Sequence, residues 1–180
     1  MRAAIATASL LVFALGSATL SAQDAGTIPT WEVKEISVKI EEQVAAVRQI
    51  MQSVRPKEWV QGGANEAYID QHAALLADLA NAELSAQALG RDPEKLTYAV
   101  DTFLWLDRVY STLRSLTAGV RRYQSVAVAD LLEAASGRNS GSMADLKEYM
   151  RQLAKVAEDR LEIAHDEAQR CRAQLVNAPR

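Results

Sequence analysis

Glu162 and His165 are the residues in this 180-residue chain best spaced to do chemistry. Three positions apart, they share one helical face. Di-iron carboxylate bundles use that Glu-x-x-His geometry, but they need it twice, plus a carboxylate from each of two further helices. This chain carries it once. Its other histidine, His72, stands three residues after Ile69 and not after a glutamate. A single metal held by Glu162, His165 and His72 would require the second and last long helices to meet at one level. Non-covalent haem would need a methionine and a histidine on facing helices. Met51 and His165 are the pair to name, yet antiparallel helices would place them at opposite ends. Cys-x-x-Cys-His, which covalent haem needs, is absent.

Nucleophilic and phosphate chemistry have less support. There is no Gly-x-Ser-x-Gly elbow, and neither Gly62-Gly63 nor Gly137 and Gly141 lead into Lys-Ser/Thr. The residues therefore point away from an enzyme and give no set that calls for a cofactor. Two contact candidates remain. Arg121-Arg122, followed by Tyr123, could grip an anion or a partner carboxylate, although arginines at a helix C-terminus also suit the helix dipole without any ligand. Trp59 sits between Pro56 and Gly62-Gly63, either as a cap on the core or as a partner anchor, a role in which tryptophan is enriched.

Helices must position all of these. Thr30 opens the first, and Val33, Ile36, Ile40, Val44, Val47 and Val54 recur in steps of three and four on one face. Arg55-Pro56 ends it, since proline disfavours the helical region for the residue before it. Residues 56–64 read as a connector. Asn65 caps a second helix that Gly90 should stop. Asp92-Pro93-Glu94 reads as cap, first turn and favourable charge for the third. The pattern then gives a short helix over 125–135, a flexible turn over 136–141 and a last helix from Ser142 to 176. No segment alternates with the period of a strand. The expected fold is all-α: an elongated up-down bundle of four long helices plus one short helix. A three-helix arrangement and an intermolecular coiled coil through the first or last helix are the other arrangements the stripes permit.

Residues 1–22 carry a different message. Arg2 precedes the apolar run Leu10–Leu15 and a small-residue exit, the pattern of a secretory signal peptide cleaved after Ala22 or Ala18. The domain plan is thus a cleaved leader at 1–22, a flexible lead-in at 23–29, one helical domain at 30–176 and a frayed tail at 177–180. The expected address is periplasmic or secreted, with a bacterial source, and no later segment is apolar enough to span a membrane. A net charge of −3 argues against general nucleic-acid binding. Cys171, the sole cysteine, allows no internal disulfide. It falls on the last helix's Ala-rich seam, which reads as burial, or as a link to a second chain in a homodimer. The sequence reads as an exported, non-enzymatic helical module that binds a protein or envelope component. The alternative is a metal- or haem-binding bundle built on His165 and Glu162.

Overall fold

The computed structural model describes residues 28–176, the side chains of 138–140 excepted. The leader at 1–22 and the tail at 177–180 lie outside the described residues. Five helices follow in order: α1 (Thr30–Met51), α2 (Pro56–Gln61), α3 (Ala67–Arg91), α4 (Leu96–Tyr123) and α5 (Val126–Val176). There is no strand among the described residues. α1 packs on α3 and α5, and α4 packs on the same two helices. The four long helices thus form an up-down-up-down ring around one core. The α1 stripe supplies Val33, Ile36, Ile40, Val44 and Val47, all buried, against Leu79 and Leu89 of α3 and Leu106, Leu113 and Leu116 of α4.

The short helix is α2, and not residues 125–135. Proline at its first position fixes a helical φ where no amide bond is lost. Gly63, at φ +93°, turns the chain out of it. Glu66, not Asn65, takes the N-cap position of α3, and Asn65 stands one residue ahead with its side-chain oxygen accepting the Ala67 amide at 2.8 Å. Asp92-Pro93-Glu94 is a turn, and not the first turn of α4, which starts three residues later. Asp92 accepts the Lys95 amide and pairs with its ammonium at 3.2 Å. Gly90 does not stop α3. The helix runs through it to Arg91, and the missing side chain lets α1 come close. A Cβ there would lie 2.6 Å from Ser37 Oγ.

The largest correction is α5. Residues 136–141 are not a turn, and the helix continues unbroken for 51 residues. Two glycines cost helix stability, each about 1 kcal/mol against alanine. Packing on both sides of them overrides that cost. Leu132, Ala135, Ser142 and Leu146 are all buried, so one seam crosses the glycine region without a break.

Tyr149 closes this seam at the end of the ring where α3 turns into α4. It is 2% exposed, and its hydroxyl donates to Pro93 O at 2.8 Å. Burial, with a smaller effect from the Glu94 charge, pushes the phenol up to about 12. The unfolded chain releases this proton near its ordinary value of about 10. Folding stability should therefore fall as pH rises from about 10 towards 12. Tyr149→Phe should make that decline shallower in urea midpoints, while costing about 1 kcal/mol at neutral pH for the lost hydrogen bond.

Candidate functional site

The ring ends before α5 does. Leu146 and Tyr149 are buried and Leu153 is half-buried, but every residue from 157 to 176 is exposed. At about 1.5 Å per residue these twenty residues form an arm some 30 Å long. The arm leaves the ring beside the start of α1, where Ile28 N donates to Gln152 Oε1 at 2.7 Å. Ala157, Leu161, Ala164, Ala168, Cys171 and Leu175 run along it in alternating steps of four and three, the spacing of a coiled-coil seam. Leu161 is 71% and Leu175 78% exposed. Carboxylates gather near the base of the arm (Glu158, Asp159, Glu162), and Arg170 and Arg172 lie near its tip.

This geometry disposes of several expected site residues. Cys171 is exposed, not buried, because α5 outruns every neighbour that could cover it. Glu162 and His165 stand on the arm in solvent. His72 lies at the far end of the ring, half-buried, with Nε2 2.9 Å from Met51 O. The second and last long helices do not meet at one level, so the three residues cannot share an ion. Among the described residues no cluster of three or more His, Cys, Asp or Glu side chains could hold a metal. Met51 is fully buried at the His72 end, and the arm separates it further from His165.

Trp59 is core and offers no face to a partner. It is 3% exposed, stacked on Tyr123 at 6.2 Å and set edge-on to Tyr68 at 5.6 Å. Its Nε1 donates to Gln124 Oε1 at 3.2 Å, and the same oxygen accepts the Arg55 amide at 3.0 Å. Gln124 Nε2 donates to Ser53 O at 3.0 Å. One side chain thus ties the α1–α2 connector to the α4–α5 junction. Trp31 is 62% exposed on the first turn of α1.

Arg121 and Arg122 line a groove. This groove, of about 690 Å³, runs between α4 and α5. Tyr110, Arg114, Thr117, Ala118, Arg121 and Arg122 form its α4 wall, and Glu133, Gly137 and Met143 lie across from them. Arg121 bridges Asp130 and Glu133, each at 2.8 Å. These two carboxylates, Glu133 first, raise its already high pKa and keep it charged. The guanidinium of Arg122 lies 5.2 Å from the Tyr123 ring centre. Burial pushes the Tyr110 phenol well above its ordinary range, so it stays protonated.

Reading the sequence missed Tyr110, Arg114 and Met143 as groove residues. A signal was there: 110, 114, 117–118 and 121 step by three and four down one face of α4. Among the described residues no helix is long and apolar enough to cross a membrane. Compared with known proteins, the chain matches no family model, no curated protein and no solved structure, so its own residues carry the functional argument.

Proposed function

We propose that this is an exported, non-enzymatic helical-bundle protein that works by docking a helical protein partner against its projecting arm. The arm's exposed seam carries this reading. Twenty helical residues held clear of the ring give the chain nothing in folding and leave Leu161 and Leu175 in water. A helix laid along the seam would bury both, as helix-in-groove and coiled-coil partners do. A second copy is one such partner. In antiparallel pairing the Arg170–Arg172 tip of one arm meets the Glu158–Glu162 base of the other. The leader pattern at 1–22 supports export to a periplasm or the outside of a bacterial cell.

A photo-crosslinker at Ala164 in the natural host tests the docking. One discrete adduct, either a dimer or a single partner, should form and should vanish in Leu161→Glu/Leu175→Glu. That variant should melt like the parent. No adduct, or an adduct that survives the two glutamates, would overturn the reading. N-terminal sequencing of the mature protein should find cleavage after Ala22 or Ala18.

A further inference from the structure

We propose that the α4–α5 groove binds a single-chain amphipathic anion, a long-chain carboxylate whose head meets the arginine-bearing α4 wall and whose tail lies along the groove floor. This goes beyond the docking of a partner and does not depend on the arm.

The volume is the first argument. About 690 Å³ lies within the range of small-molecule sites. The lining is the second. Tyr110, Ala118 and Met143 offer apolar surface. Thr117 adds no unmet polar demand, because its hydroxyl donates to Leu113 O at 2.7 Å. Charge is the third. Arg121 is bridged by both Asp130 and Glu133, which leaves one negative charge over in that cluster. Among the described residues, no carboxylate pairs with Arg114 or Arg122. Three guanidiniums against the two carboxylates Asp130 and Glu133 leave the groove one net positive charge, which complements an anion with an apolar body. Their planar forks match a carboxylate's two oxygens. α5 contributes Gly137 to the lining, and a Cβ there would meet nothing within 4 Å.

Dodecanoate, kept below its micelle-forming concentration, is the probe, and calorimetric titration of the purified protein is the readout. One molecule should bind per chain, saturably. Dodecanol and dodecyltrimethylammonium, with the same tail but a neutral or cationic head, should bind at least tenfold more weakly. Octanoate should also lose more than tenfold, because each buried methylene contributes to affinity. Arg114→Gln/Arg122→Gln changes two exposed side chains and should cost at least tenfold with an unchanged melting temperature. Gly137→Phe should fill the groove and abolish binding. Equal affinity for dodecanol, full binding by the double arginine variant, or no saturation would overturn the proposal. Binding to anionic phospholipid vesicles without binding to monomeric dodecanoate would overturn it as well, since that would be attraction to a charged surface.

Discussion

Leu146→Ala should cost about 2–5 kcal/mol of folding stability, and Leu161→Ala should cost less than about 0.5 kcal/mol. Both leucines lie on the same apolar stripe of the same helix, fifteen residues apart. Leu146 is 0% exposed, enclosed by the ring, so truncating it leaves a cavity that close-packed neighbours fill only in part. Leu161 is 71% exposed on the arm, and removing it returns to water a surface that water already touches. Urea denaturation of the two variants under one set of conditions measures the difference. A loss of several kcal/mol at Leu161 in dilute monomer would mean that the arm folds back onto the ring. If the cost at Leu161 appears only at high protein concentration, the seam is pairing between chains, because association adds stability by mass action.

The second large effect is expected at a glycine. Gly119→Ala should lower stability by about 1–3 kcal/mol, although alanine is the better helix former. A Cβ at 119 would stand 2.9 Å from Tyr68 Cε1 and 3.0 Å from Trp59 Cζ3. Neither ring can retreat cheaply. Trp59 is pinned by Gln124 and stacked on Tyr123, and Tyr68 meets Tyr123 at 6.0 Å. Gly141→Ala is the matched control with the opposite sign. It is also a mid-helix glycine, but a Cβ there meets nothing within 4 Å. It should gain about 0.5–1 kcal/mol through reduced backbone freedom in the unfolded chain. At roughly 2–4 °C per kcal/mol for a chain of this size, thermal melts resolve both signs. A stabilised Gly119→Ala would show that the aromatic cluster packs more loosely than these distances allow.

The arm and the groove raise the same question of what an unusually long helix is for. Within the ring α5 contributes Leu132, Ala135, Leu146 and Tyr149 to the core. Beside the groove its glycine region lines the wall opposite α4, and beyond the ring it exposes a heptad seam. One helix thus builds the core on its inner face, and the two proposals place an amphipathic anion on its groove face and a partner helix on its projecting end. The two can be disabled separately, by Gly137→Phe and by Leu161→Glu/Leu175→Glu, so each proposal stands or falls without the other.

How much of this was legible in the residues depended on the range of the forces involved. Periodicity alone determined the all-α class, the four long stripes and nearly all of the buried face of α1, because burying one face of a helix needs only a spacing of three and four. Asn65 at the head of α3 was equally local. The Pro56 connector and the Asp92-Pro93 turn were placed correctly as breaks, but which residues were helical within them depended on neighbours. Three features were decided only by tertiary structure. Glycines that look like a turn at 137 and 141 became helix, since packing at Leu132, Ala135 and Leu146 outweighs a propensity cost of about 1 kcal/mol each. Cys171, on an Ala-rich seam that reads as buried, is exposed, because burial needs an opposing helix and the other three end too soon. Arg121 and Arg122 became groove residues only when α5 supplied the second wall and Glu133 and Asp130 bridged one of them. A sequence shows which face of a helix avoids water, but the lengths of the neighbouring helices determine where that face runs out of partners.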